Sequence, residues 1–245
     1  MTRRPVVGGD QQARAGSRDG AATRRRVEPF TAVAPRPARD PQAREVPGCS
    51  CLQLFSQWLP DDMAWDYFNR LRNAHPWPDN RYEMGGRRFT LPRLQTWHAD
   101  AGVVYSYSNN LLQTRPWTPL LTALRRAVEL QLQQDFNAVL VNYYRHGDDH
   151  VGWHSDDEIE LGPQPVVASL TLGARRAFSY RRKRDVVRSD PTTEAATGSV
   201  DLHNGDLLLM QPEFQHHWQH AVLPAQGCDG RINLTFRAVL RKFTP

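Results

Sequence analysis

The chain has 245 residues, 40% hydrophobic and 23% charged, with a formal net charge of +5. That length and apolar content support one domain with a sizeable core plus an additional segment, while no apolar run approaches a membrane span and the N-terminus lacks the apolar stretch of a secretion signal. Cys49, Cys51 and Cys228 make neither a disulfide framework nor a zinc spacing, so reduced thiols are expected, in a cytoplasm if the source is bacterial and a nucleus if it is eukaryotic.

Residues 1–47 hold ten Arg against five acids, which accounts for the whole formal excess; residues 48–245 are balanced. Rich in Arg, Pro, Gly and Ala, this segment cannot bury enough surface to offset its ordering entropy, and it reads as a disordered tail. Arg24-Arg25-Arg26 reads as part of a solvated tail, with a phosphate contact or a localisation signal as the alternative. A domain over 48–245 follows. Leu52, Leu54, Phe55, Trp58 and Leu59 form a short apolar segment, and Asp61-Asp62 opens a capped helix through Leu71. Residues 73–101, with Pro76, Pro78, Gly85-Gly86 and Pro92, read as irregular. Pro116–Gln134 is the best helix, since Leu120, Leu124, Val128 and Leu132 repeat on one face.

Beyond Asp135 the pattern turns to strands: Phe136–Tyr144, Val166–Leu172, Phe178–Tyr180, Asp206–Met210, His220–Leu223 and Arg231–Val239. Helices followed by strands without intervening helices predict an α+β fold with an antiparallel sandwich or barrel.

The last strand carries the first chemical signal. Arg231, Asn233, Thr235 and Arg237 alternate with Ile232, Leu234 and Phe236, so the polar residues share one face. In the first strand Asn142 and Tyr144 share a face in the same way. Two such strands suit a polar pocket inside a barrel, and two Arg there require an anion, which a dicarboxylate supplies. His154-Ser155-Asp156 places a His and a carboxylate two residues apart in an extended segment, and His216, His217 and His220 offer a third ligand far downstream. Two His and one carboxylate suit a non-haem Fe(II) oxygenase, with a hydrolytic zinc site as the rival; the paired Arg favour iron.

Together, Asn142-x-Tyr144, His154-x-Asp156-Asp157-Glu158, His220 and Arg231-x-Asn233-x-Thr235-Phe236-Arg237 resemble the AlkB family of Fe(II)- and 2-oxoglutarate-dependent dealkylating dioxygenases, over about residues 52 to 241. Asp100-Ala101-Gly102, Tyr105-x-Tyr107 and Pro116-Trp117 place the likeness nearest the branch that repairs double-stranded DNA. The resemblance implies a double-stranded β-helix (jelly-roll) core with N-terminal helices packed against it. It implies His154, Asp156 and His220 as catalytic iron ligands. For 2-oxoglutarate it implies Arg231 with Tyr144 at the distal carboxylate, Arg237 and Asn142 at the other end, and Asn233 and Thr235 in the same pocket. Asp157 takes the position that contacts the alkylated base, with Glu158 beside it, and Tyr105 and Tyr107 line the base pocket. The implied activity is oxidative demethylation of bases such as 1-methyladenine or 3-methylcytosine in DNA. It uses O2 and releases formaldehyde, succinate and CO2, and the chain is expected to act as a monomer. Opposite charge favours such cationic lesions beside Asp157-Glu158.

The same chemistry on RNA, protein or a small molecule is the alternative, and a non-enzymatic nucleic-acid-binding barrel is a third. Arg175, Arg176, Arg181, Arg182, Lys183, Arg184 and Arg188 around Phe178 and Tyr180 read as a phosphate-binding patch. Met84-Gly85-Gly86 departs from the family where a bulky apolar wedge is expected.

Overall fold

In the computed structural model, residues 35–37, 42–79, 81–84, 86–103, 105–107, 110, 111, 113–189 and 196–240 are described. The expectations for residues 1–34 and for Gly85 fall outside them, as do those for the side chains of Met84, Tyr107 and Arg188. In chain order the elements are β1 (Arg44–Val46), β2 (Cys49–Phe55), α1 (Asp61–Ala74), β3 (Arg81–Met84), β4 (Arg87–Thr90), β5 (Leu94–Ala99), β6 (Ser106–Tyr107), β7 (Asn110–Leu111) and β8 (Thr114–Arg115). There follow α2 (Pro119–Leu132), β9 (Ala138–Tyr144), β10 (Val151–His154), a 3-10 turn (Ile159–Leu161), β11 (Val167–Gly173), β12 (Arg176–Arg182) and α3 (Arg184–Ser189). The last are β13 (Thr197–Leu202), β14 (Leu207–Met210), α4 (Pro212–His217), β15 (Trp218–Val222) and β16 (Arg231–Arg237).

Two sheets form the jelly roll. The larger has the order β1-β2-β14-β11-β16-β9-β5-β8, and the smaller β10-β15-β12-β13. β9, β16 and β11 lie side by side, with Asn233 opposite both Asn142 and Thr171. Alternation divides their side chains cleanly. Val139, Val141, Tyr143, Ala168, Leu170, Leu172, Ile232, Leu234 and Phe236 join one core cluster with Ala64, Tyr67, Phe68 and Leu71 of α1 and Leu120, Leu121, Leu124 and Val128 of α2. The opposite faces, carrying Asn142, Tyr144, Ser169, Arg231, Asn233, Thr235 and Arg237, line the space between the sheets. The barrel is therefore apolar outside, under its helices, and polar within.

Several expected boundaries move. Arg44–Val46, assigned to the tail on composition, pair with β2 across a turn in which Gly48 takes φ +81, and Val46 is buried. α1 runs on to Ala74, and its N-cap, Pro60, makes no side-chain capping bond. α2 begins at Pro119, where Thr118 caps the Leu121 N–H at 3.2 Å. The stretch 73–101, expected to be irregular, holds β3, β4 and β5; β5 pairs with β9 through Leu94–Ala99. His216 and His217 stand on α4, a short helix that the strand pattern did not reveal.

Below β5, His75 Nε2 lies 2.7 Å from Thr96 Oγ1, and the His75 and His98 rings are 5.2 Å apart in the interior. Burial, with help from His98 and Arg115, lowers His75 to about 4. Because the folded value lies below the ordinary 6.5, the stability contributed is complete above pH 6.5 and lost as pH falls toward 4. Urea unfolding of the wild type should lose about 3 kcal/mol more than His75→Gln between pH 7 and pH 4; parallel curves for the two proteins would refute this.

Gly147 is a second sensitive position. Its carbonyl accepts the Ala225 N–H at 2.9 Å, and a Cβ there would overlap the Ala225 carbonyl oxygen. Backbone against backbone leaves no side chain to yield. Gly147→Ala should lower the thermal midpoint by about 5–10 °C, read by circular dichroism.

Candidate metal centre

β10 ends at His154, and β15 runs beside it with His220 directly opposite. The chain then leaves the sheet, and the Asp156 N–H donates to Gln215 Oε1 of α4 at 2.9 Å. The result brings one ligand atom from each of His154, Asp156 and His220 within 4.8 Å of one another. Asp156 and His220 are buried, and His154 is partly exposed. His154 Nδ1 lies 2.9 Å from the Gly152 carbonyl, so this nitrogen is the donor and Nε2 keeps its lone pair. His220 is packed by Phe178, with rings stacked at 5.1 Å, and by Phe214 at 5.7 Å. Of the three candidates in 216–220 only His220 reaches this cluster; His216 Nε2 instead lies 3.0 Å from the Pro163 carbonyl.

Protonation follows the geometry. Burial pushes the Asp156 carboxyl up, but Arg237, His220 and His154 outweigh it and hold the group at about 2. Burial lowers His220 to about 3, with His154 adding to the effect, and burial likewise lowers His154. Near neutral pH the cluster is one carboxylate and two neutral imidazoles, the forms that bind a metal. Arg237 Nη2 donates to Asp156 Oδ1 at 2.9 Å, whereas Asp156 Oδ2 is buried without a hydrogen bond. One carboxylate oxygen is thus fixed and the other left for a cation.

Farther along the same face, Arg231 is only 1% exposed. Its Nη2 donates to Thr171 Oγ1 at 3.0 Å, while Nε and Nη1 make no hydrogen bond among the described residues, with the Tyr144 ring beside the group. Burial lowers this guanidinium to about 10, which still leaves it charged near neutrality. Asn233 donates to Ser169 Oγ and the Leu170 carbonyl, and Thr235 donates to Asn233 Oδ1. Sequence reasoning missed Arg93, which is buried here and donates through Nε to Asn142 Oδ1 at 2.9 Å. It also missed Gln215. Each is a lone polar residue in a stretch with no periodic pattern, so its only signal is its placement.

The substrate-side candidates separate. Tyr105 is fully buried, stacked on Trp97 at 4.5 Å. Its hydroxyl is raised above the ordinary phenol range by burial, with Asp156 and Glu158 adding to the shift and Arg237 opposing it. Glu158 is raised by burial and by Asp156. Asp157 instead turns outward and pairs with Lys183 at 2.7 Å. Tyr107 lies in β6, with its side chain outside the described residues.

The basic patch is also corrected. Arg176 is buried, Phe178 and Tyr180 belong to the core, Arg175 pairs with Asp201, and Arg181 and Arg182 lie over Trp153 and Trp218 at 4.3 and 4.5 Å. Alternation along β12 sends these residues to opposite sides of the sheet.

Residues 51–237 match the family model of the 2OG-Fe(II) oxygenase superfamily. The chain is 39% identical over 162 residues to the human (Homo sapiens) protein named DNA oxidative demethylase ALKBH2, covering 65% of this chain and 61% of that one. It is 38% identical over 176 residues to the rat (Rattus norvegicus) alpha-ketoglutarate-dependent dioxygenase alkB homolog 3, covering 69% and 58%. The chain thus spans about three fifths of the length of these relatives. The solved structure of OsALKBH1 shares the fold at TM-score 0.54 and 19% identity, over 80% of this chain and all of that one. The superfamily's two groups, Fe(II) and 2-oxoglutarate, fit what is here: a buried His-Asp-His donor set with an unpartnered carboxylate oxygen, and a buried guanidinium with two unpartnered nitrogens on the adjoining wall. The chain belongs to the 2OG-Fe(II) oxygenase superfamily, and within it to the AlkB family.

Proposed function

We propose that residues 48–245 form a dioxygenase domain that oxidatively demethylates N-alkylated bases in DNA. The observation that carries the reading is the convergence, inside one barrel, of a three-residue metal set and a buried arginine with unpartnered nitrogens. The DNA substrate is supported by the likeness to the human relative, which is named a DNA oxidative demethylase. When bound, Fe(II) would activate O2, the oxidant, with 2-oxoglutarate giving up two electrons as it is converted to succinate and CO2.

The chain's own residues supply the rest. His154, Asp156 and His220 hold the metal. Arg237 and Gln215 fix the Asp156 carboxylate and its backbone, so the ligand is pre-oriented. Arg231, with Tyr144 beside it, meets the distal carboxylate of 2-oxoglutarate; Asn142, held by Arg93, serves with Arg237 at the other end. Asn233 and Thr235 complete the wall by bonding to each other and to β11. Glu158 marks the side toward the methylated base, where a carboxylate favours a cationic 1-methyladenine or 3-methylcytosine, and Tyr105, stacked on Trp97, backs it. Asp157 sits at the rim with its charge balanced by Lys183.

The test is anaerobic reconstitution with Fe(II) and 2-oxoglutarate, then aerobic assay on 1-methyladenine in single- and double-stranded DNA. Formaldehyde and succinate should appear together in equal amounts. Absence of formaldehyde from every methylated strand, with succinate at background, overturns the DNA reading.

A further inference from the structure

Arg176 is a buried cation that the reading above does not use. It stands at the start of β12, in the smaller sheet, where its neighbour across the ladder is Leu202. Although it is only 2% exposed, no carboxylate pairs with it among the described residues; its bonds are to backbone oxygens on two separate segments. Nη2 donates to the Asp149 carbonyl at 3.0 Å and to the Leu223 carbonyl, just past β15, at 2.6 Å. Nη1 donates to the His146 carbonyl at 3.4 Å. Its Cζ lies 5.8 Å from the centre of the Tyr144 ring, and the Cζ of Arg231 lies 5.4 Å from the same centre. Both distances are within the reach of a cation–π contact.

Two guanidinium groups therefore share one phenol ring at the end of the barrel where Arg231 keeps two unpartnered nitrogens. A buried positive charge balanced only by carbonyl dipoles is an expensive way to join a loop to two strand ends, for which an apolar plug would suffice. It is a fitting way to fix a polar ring and raise the positive potential where an anion docks. The carbonyls that hold Arg176 also belong to residues 146–149, the loop leading into β10 and His154, so the same side chain ties the metal strand to the wall carrying Tyr144.

We infer that Arg176 is a positioning residue for the co-substrate: it holds Tyr144 and, through it, Arg231 against the distal carboxylate, and so sets the preference for a dicarboxylic 2-oxo acid. This rests on the co-substrate reading proposed above. Arg176 touches neither metal nor co-substrate in this scheme, and its effect passes through Tyr144.

The experiment compares wild type, Arg176→Gln and Arg176→Lys, each loaded with Fe(II) under anaerobic conditions. Binding of 2-oxoglutarate and of 2-oxobutanoate, which lacks the distal carboxylate, is measured by calorimetry. For Arg176→Gln the 2-oxoglutarate Kd should rise at least about tenfold, the scale of a coupling carried through an intermediate side chain. The 2-oxobutanoate Kd should stay within about twofold. In turnover, the same variant should raise KM for 2-oxoglutarate with kcat little changed. Arg176→Lys keeps the charge but has no planar fork to span several carbonyls, and should lose less, about threefold to fivefold. Equal losses for both oxo acids in a folded variant would assign Arg176 a purely structural role and overturn the inference, as would an unchanged 2-oxoglutarate Kd. If Arg176→Gln does not fold, Arg176→Lys is judged by the same selectivity between the two acids. Failure of the wild type to bind 2-oxoglutarate would sink the co-substrate reading itself, a result distinct from a wild type that binds and a variant that binds equally well.

Discussion

Asp156→Ala should abolish Fe(II) binding and reduce succinate formation more than about 10³-fold, since the candidate set of His154, Asp156 and His220 loses its one carboxylate among the described residues. It should also destabilise the fold. Arg237 and Asp156 are both at or below 2% exposure and 2.9 Å apart, so removing the acid leaves a buried cation without its partner. Breaking such a pair costs about 3–5 kcal/mol. The double variant Asp156→Ala/Arg237→Met separates the two effects. With neither charge left, urea unfolding should recover most of the lost stability, while calorimetry with Fe(II) still shows no binding. Recovery of metal binding in the double variant would contradict the assignment of Asp156 as a ligand.

Arg231→Met should act with opposite signs on stability and on affinity. In the wild type Arg231 is buried with two unpartnered nitrogens, and burial already lowers its guanidinium to about 10. Replacing an incompletely paired buried cation by an apolar chain of similar length is neutral or stabilising by about 1–3 kcal/mol. The metal-loaded variant should nonetheless bind 2-oxoglutarate about 10²-fold more weakly, because a charge-assisted contact to its distal carboxylate is gone. A thermal melt without co-substrate and a calorimetric titration with it give the two readings. A variant that loses stability while keeping its affinity would place the anion elsewhere.

The constellation was legible because strand alternation is a strong local rule. Arg231, Asn233, Thr235 and Arg237 could share a face only if the chain ran extended, and the same rule paired Asn142 with Tyr144. The third ligand was less legible. His216, His217 and His220 were separable in space only once α4 was known to lift the first two off the strand, and a six-residue helix leaves little periodic trace. Arg93, Gln215 and Arg176 were missed or misread for a related reason: each acts across the fold on groups far away in sequence. Arg176 lies 47 positions from Leu223, and a run of basic residues disguises it as surface. The acidic pair Asp157-Glu158 could not be divided into an outward and an inward member from sequence, because a turn obeys no period.

The two-faced strands have a consequence for how this chain can change. In β9, β11 and β16, consecutive residues answer to different demands: one packs under α1 and α2, and the next lines the lumen. Substitutions can therefore retune the reaction chamber residue by residue with little effect on the packing beneath. Length is another matter. Inserting or deleting one residue within Arg231–Arg237 would exchange every inward side chain for an outward one, placing Ile, Leu and Phe in the chamber and Arg beneath the helices. Lineages derived from this chain should keep Arg231 and Arg237, accept point changes elsewhere along β16, and tolerate no shift of frame within it.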